Sequence, residues 1–247
     1  MLIDTDLIFP NWPAPANVQA LQTTRAGGES VGPYASLNLG DRVGDIPLQV
    51  AANRQAFNRL VPSEPLWLKQ VHGVKVVDAA TASGLPEADA AYARMPHAVC
   101  TVMTADCLPV LLCDEAGSVV GAAHAGWRGL LGGVIEATIT AMHTSPSHLM
   151  AWLGPAIGPQ AFEVGMEVRD AFVAQNAQAA QAFLPAPNDK WLADIYLLAK
   201  QRLCTMGVDR IYGGDLCTYT DQTRFFSYRR DGITGRMASM IWLENHH

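Results

Sequence analysis

Short, dense apolar runs set what this chain can fold into. VQALQTT (18–24), PLWLKQVHG (65–73), VKVVD, AVCTVMT (98–104), VLLCD, SVVGAAH (118–124) and HLMAWLG (148–154) read as strands, and three of them are apolar on both faces. A strand with no polar face needs cover on both sides, so the sheet must lie between layers. Helical periodicity over 48–61, 127–143, 167–183 and 191–207 supplies that cover, with Gly207 as the stop of the last helix. RFFSYRR and RMASMIWL return to strand character. Strands and helices do not alternate strictly, so the expectation is a mixed α+β fold of layered sheets with outer helices, not a doubly wound sheet. PAPNDK (185–190) is the one linker-like stretch and is too short to separate domains; residues 1–247 are expected to form a single domain. No fixed-period repeat appears.

An apolar content of 49% is enough for a substantial core without disulfide staples. The net charge of −6 gives no electrostatic footprint for nucleic acid or for an anionic membrane, so any anion must be held locally. No run approaches the roughly 20 apolar residues that span a bilayer. MLIDTDLIFPNWPAP, with Asp4 and Asp6, lacks the basic start of a secretory signal. The five cysteines are odd in number and fall mostly inside apolar runs, which points to a reducing, cytoplasmic compartment. Asn245, His246 and His247 read as tail.

Chemistry concentrates in TADCLPVLLCDEAGSVVGAAHAGWRGLLGG (104–133). Cys100, Cys113 and Cys204 read as structural thiols, but Cys107 stands at a strand start between Asp106 and Pro109. His124 ends the next run at a strand-to-helix turn, and His72 ends WLKQVHG. A thiolate and two imidazoles suit zinc, and three protein ligands leave a fourth position for water or substrate. The spacing matches no short motif such as CxxC, so the trio matters only if the fold joins the three strand ends. The same atoms would equally make a Cys–His nucleophilic pair.

Three arginine and glycine turns are candidate anion seats. AGWRGLLGG offers Gly126, Gly129 and Arg128 at a helix start. TTRAGGES (23–30), with Arg25, and SYRRDGITGR (227–236) read as solvated loops unless a site recruits them. GPAIGPQAFEVG (154–165), with Glu163, either turns the chain or shapes a pocket wall.

WLKQVHG, ADAAY, CTVMTADCLPVLL, AAHAGWRGLLGGV, WLGPAIGPQAFEVG, YGGDLCTYT and FFSYRRDGITGRMASMIWL, in that order, resemble the family labelled multicopper polyphenol oxidase or laccase-domain proteins. The resemblance runs from about residue 9 to residue 243, and TTRAGG and SLNLG fit it as well. It implies a layered α/β/β/α sandwich related to cysteine hydrolases of the toxin deamidase type. It also implies a metal site, usually zinc, on His72, Cys107 and His124. Members are described as purine nucleoside enzymes that phosphorolyse adenosine, inosine, guanosine and methylthioadenosine and deaminate adenosine; some are described as peptidoglycan editing factors acting on UDP-muramyl-serine precursors. On that footing, Arg25 and Arg128 would hold phosphate, Asp106 or Glu163 would move protons, and purine nucleosides and phosphate are the expected partners. The laccase label itself finds little in the residues. A multicopper cluster wants many histidines in paired spacing, and this chain has no HxH, although a single copper can replace zinc in such a site.

Overall fold

A computed structural model of the chain describes Ile3 and residues 6–245; Asp4, His246 and His247 lie outside the described residues. The chain begins with strands β1 (Leu7–Ile8) and β2 (Val18–Thr23), helix α1 (Pro47–Phe57), and strands β3 (Val76–Asp78) and β4 (Ala90–Ala93). Strands β5 (Cys100–Thr104), β6 (Leu108–Asp114) and β7 (Val120–Ala125) lead to helices α2 (Trp127–Gly132) and α3 (Val134–Ala141). There follow β8 (Leu149–Leu153), β9 (Glu163–Val164), α4 (Met166–Gln175), β10 (Phe183–Ala186) and β11 (Lys190–Ala193). Helix α5 (Ile195–Met206), β12 (Arg210–Gly213), the short α6 (Tyr228–Asp231) and β13 (Met237–Leu243) complete it.

The central sheet has six strands in the order β12-β8-β6-β7-β4-β3, with two parallel pairs at its edges and antiparallel pairing between. A four-stranded antiparallel sheet, β1-β2-β13-β5, packs on one face of it, and a small antiparallel sheet β10-β11-β9 joins the core on the other through Val164, Phe183 and Ala193. Strand periodicity sorts the side chains between layers. Leu108, Val110 and Leu112 join Ile135 and Ile139 of α3, Phe172 of α4 and Leu198 of α5. The alternate residues Leu111 and Cys113 turn to the other face and meet Cys100, Val102 and Ile241 of the four-stranded sheet. The outer face of that second sheet, with Leu21, Met240 and Trp242, is covered by Leu37, Leu39 and Phe57 at the end of α1. The result is the expected α/β/β/α layering of mixed sheets. Gly121 lets α3 sit directly on β7, because a Cβ there would lie 3.1 Å from the Met142 sulfur.

Several local expectations are corrected. The helix expected over 127–143 is two helices, broken where Gly133 takes a left-handed φ of 98°. The one expected over 167–183 stops at Gln175; Asn176 is extended and its side chain caps a 3-10 turn by accepting from Gln178 N–H. The last helix starts at Ile195, capped by Asp194, because the preceding residues pair as β11. PAPNDK is therefore a hairpin turn, with Asn188 and Asp189 at positive φ, not a linker. PLWLKQVHG contributes only isolated bridges at Leu66 and Lys69, since the Gln70 side chain takes over the pairing, donating to Met103 O and accepting from Met103 N. In RFFSYRR the two phenylalanines are buried, but the segment turns into α6. Cys204 is exposed on α5, whereas Cys100 and Cys113 are buried in the core.

Truncating Leu111, fully buried between the sheets, is expected to cost about 2–5 kcal/mol of unfolding free energy. Leu184→Ala, on an exposed side chain, should stay within about 0.5 kcal/mol, and urea denaturation of both variants checks the pair.

Candidate functional site

The site forms where the central sheet runs out toward the second sheet. Pro109 pairs with His124 and Leu108 with Ala125, so the ends of β6 and β7 are adjacent. Cys107 and His124 share the alternation of Leu111 and Val120, and both project on the side facing the second sheet. His72 arrives from the loop after WLKQV. The donor atoms of His72, Cys107 and His124 all lie within 4.8 Å of one another, with Cys107 Sγ 3.8 Å from His72 Nε2. His124 is buried, Cys107 half-buried and His72 exposed at the rim. Among the described residues this is the one such group of three.

Asp89, one residue before β4, organises the trio. Its fully buried carboxylate accepts from the backbone N–H groups of Val71, His72 and Gly73 and from His124 Nδ1 at 2.8 Å. Three successive amides on one carboxylate hold His72 at a left-handed φ of 60°. The bond to Nδ1 fixes the ring so that His124 Nε2 faces the group, the usual carboxylate–histidine–metal arrangement. Burial alone would raise the Asp89 carboxyl, but its hydrogen bonds and the His124 charge outweigh burial and hold it below the ordinary range. Burial likewise opposes the Cys107 thiolate, yet the charge of His124 and hydrogen bonds to both imidazoles bring the thiol down to about 6. His124, itself penalised by burial, is raised to about 9 by the Cys107 charge and by Asp89. Cys107 thus rests as a thiolate beside a protonated His124, whose Nε2 proton an arriving ion would displace, and the spacing of the three donors suits a tetrahedral ion with bonds of about 2.0–2.3 Å. Gly126 belongs to the same fit, because a Cβ there would stand 2.8 Å from His72 Cδ2 and 2.9 Å from Cys107 Sγ.

The trio forms part of the wall of a cavity of about 630 Å3, also lined by Arg42, Gln70, Asp106, Trp127, Arg128, Ile157, Phe162, Tyr228, Arg229 and Arg236. That size is ordinary for a small-molecule site. Asp106, at φ 90°, has both carboxylate oxygens engaged, one accepting from Thr218 Oγ1 at 2.6 Å and the other from Arg229 N–H at 2.7 Å. Arg128 is exposed and stacks on Trp127 at 4.3 Å. Arg25 is not among the lining residues; its Nε and NH1 donate to Ala35 O and Gln222 O. Glu163 is exposed on β9 and also lies off the lining, while its backbone carbonyl accepts from Arg229. GPAIGPQAFEVG does furnish a wall, through Ile157 and Phe162, and SYRRDGITGR is no solvated loop but brings Tyr228, Arg229 and Arg236. Asp89 and Arg42 escape a reading of the sequence, while Arg229 and Arg236 lie in a turn that the sequence marks without singling out either residue. ADAAY offers only one acidic residue among small apolar ones as a signal for Asp89.

Fold and site define a layered mixed α/β protein with a His–Cys–His group able to hold a metal ion in the wall of an arginine-lined cavity. The sequence profile described as multi-copper polyphenol oxidoreductase laccase matches residues 19–244, and the chain belongs to that family. The protein named purine nucleoside phosphorylase YfiH of Escherichia coli strain K12 is 56% identical over 243 residues, covering 96% of this chain and 98% of its own. A purine nucleoside phosphorylase of Haemophilus influenzae is 47% identical over 241 residues, covering 96% and 99%. Among solved structures, Neisseria meningitidis protein NMB0706 superposes with a TM-score of 0.95 at 52% identity, covering 97% of this chain and 100% of that one. YlmD from Geobacillus stearothermophilus gives 0.89 at 30% identity, covering 99% and 98%.

Asp89→Asn keeps the volume and removes the charge that fixes both histidines. Zinc affinity, measured by chelator competition, should fall about 10–100-fold. In metal-stripped protein at pH 7, iodoacetamide should modify both Cys107 and the exposed Cys204. Added zinc should remove the Cys107 adduct and leave that on Cys204, as peptide mass spectrometry would read.

Proposed function

We propose that the chain is a metal-dependent purine nucleoside phosphorylase, with zinc as the metal at His72, Cys107 and His124. The observation that carries this reading is the joining of that trio, in the wall of a cavity of small-molecule size, to relatives of near-complete overlap named for the activity. Copper binds such donors more tightly than zinc, so occupancy depends on supply.

In phosphorolysis a phosphate oxygen forms the bond to C1′ of the ribose. The bond from C1′ to the purine N9 breaks, its electron pair goes to the base, and the base takes up a proton. His72, Cys107 and His124 would hold a divalent ion, which would supply Lewis acidity to the reaction. The chain's own part is to bind and orient. Asp89 holds the His124 imidazole and the backbone of His72, Gly126 leaves room for the His72 ring and the Cys107 sulfur, and Arg128 gives the cavity a cation for the incoming phosphate. Adenosine, inosine, guanosine and methylthioadenosine are the proposed substrates. For the accompanying deamination of adenosine, Asp106 lines the cavity and Glu163 does not; each Asp106 oxygen keeps a second lone pair beside the bond it already accepts. The proposed compartment is the cytoplasm, in keeping with the five free cysteines.

Incubating zinc-loaded protein with each nucleoside, with and without phosphate, should yield free purine and ribose 1-phosphate only when phosphate is present. Adenosine should give some inosine without it. Cys107→Ala should lose zinc and at least 100-fold in both reactions, and Arg128→Ala should raise the KM for phosphate. Nucleosides left intact while UDP-muramyl-serine loses its serine would replace this reading with the amidase one.

A further inference from the structure

The arginine best built to grip an oxyanion in this cavity is Arg236, the last residue of SYRRDGITGR. Arg236 precedes β13, and every part of it except one edge is fixed. Its backbone N–H donates to Oδ1 of the fully buried Asn38 at 2.9 Å, and its carbonyl accepts from Leu39 N–H. The same Asn38 oxygen accepts from Gly40 N–H, which locks the two segments together. The aliphatic stem of Arg236 crosses Gly40 so closely that a Cβ on that glycine would lie 2.8 Å from Arg236 Cγ. At the far end, NH1 donates to Thr234 O at 3.0 Å and Gly235 O at 2.9 Å.

What is left is the edge formed by Nε and NH2. Neither nitrogen has a hydrogen bond among the described residues, and the side chain lines the cavity that also holds Cys107, His72 and His124. That edge presents two parallel N–H groups, the pairing that takes two oxygens of a carboxylate or phosphate side-on. Arg229 repeats the device, with NH1 tied to Glu163 O and Ala161 O in the same cavity wall. Cys107 and Asp106 both act on the Arg236 charge, but each is already engaged, Cys107 by His72 and His124 and Asp106 by Thr218 and Arg229 N–H, while Asp41 faces Arg54 at 3.5 Å. In a chain of net charge −6, this is where an anion is favoured.

We propose that the free Nε and NH2 edge of Arg236 is the side-on seat of a tetrahedral oxyanion, with Arg229 a second cation in the wall of the same cavity, and that Gly40 and Asn38 are its positioning residues. The identity of that anion as the phosphate consumed in the reaction rests on the phosphorolysis reading above. The same chemistry would seat the phosphoryl group of a nucleoside monophosphate.

The test measures binding apart from turnover. Inorganic phosphate and, separately, adenosine monophosphate are titrated against zinc-loaded protein by calorimetry, and phosphate KM is measured with inosine. Arg236→Lys keeps the charge but loses the fork. It should weaken phosphate binding at least tenfold while leaving zinc stoichiometry and the melting temperature within error. Gly40→Ala, which pushes on the stem without touching the charge, should weaken it several-fold and serves if Arg236→Lys fails to fold. Binding of the monophosphate and not of phosphate, with the same loss in Arg236→Lys, identifies the ester as the occupant. Phosphate binding that depends on Arg236 in a protein that cleaves no nucleoside keeps the seat and removes the phosphorolysis reading. Phosphate affinity and KM unchanged in both variants, or no binding of either anion to the wild type, overturns the seat.

Discussion

A single buried carboxylate carries the centre. Asp89 sits with no solvent exposure between two sheets, where an ionised group is costly unless its lone pairs are filled. Three consecutive amides and one imidazole fill them. Hydrogen bonding wins over desolvation, which is why the group stays ionised. Because those amides belong to the loop that carries His72 and the imidazole belongs to β7, satisfying Asp89 and assembling the site are the same event. The left-handed backbone at His72 is an unfavourable conformation for a side chain with a Cβ, and the carboxylate offsets its cost.

The layers deliver that carboxylate through strand parity. Asp89 continues β4 opposite His124, whose backbone N–H donates to Asp89 O at 2.7 Å. From there the alternation that sends Ala91, Ala122 and Leu111 into the space between the sheets also sends Asp89, His124 and Cys107 to that side. Helix α2 closes the arrangement only because residue 126 is glycine. Gly129 then allows the helix to press on the His72 loop, where a Cβ would stand 3.0 Å from Gly73 O. The glycines of AGWRG are thus explained by close packing on the centre.

How far this was legible in the sequence depends on the range of the interactions. Apolar runs on β5, β6, β7, β8 and β13 mark buried strands because burial is written into each residue, and the layering follows from it. His72, Cys107 and His124 are legible as polar residues at strand ends. The helix breaks at Gly133, Asn176 and Asp194 have local signals, a left-handed glycine and two capping side chains, which the longer periodicity obscured. Asp89 has no local signal, since its partners lie up to 35 residues away and only the β4–β7 register brings them in. Gln70 conceals itself similarly, by using its side chain where a strand would use backbone.

Arginines show the same limit in a sharper form. Arg25 and Arg236 both stand in arginine and glycine turns of similar composition, and nothing in those turns separates them. Their carbonyl partners do. Arg25 donates from Nε and NH1, which occupies one member of its side-on edge, and its guanidinium lies 4.8 Å from the Phe226 ring. Arg236 donates from NH1 alone and keeps its edge whole. Whether an arginine fastens a loop or faces a ligand is therefore decided by which nitrogens the main chain claims, and those carbonyls are positioned by tertiary packing rather than by the turn. A fold of low overall positive charge can then hold an anion through a few guanidinium groups whose orientation is settled before the ligand arrives, so less conformational entropy is lost on binding.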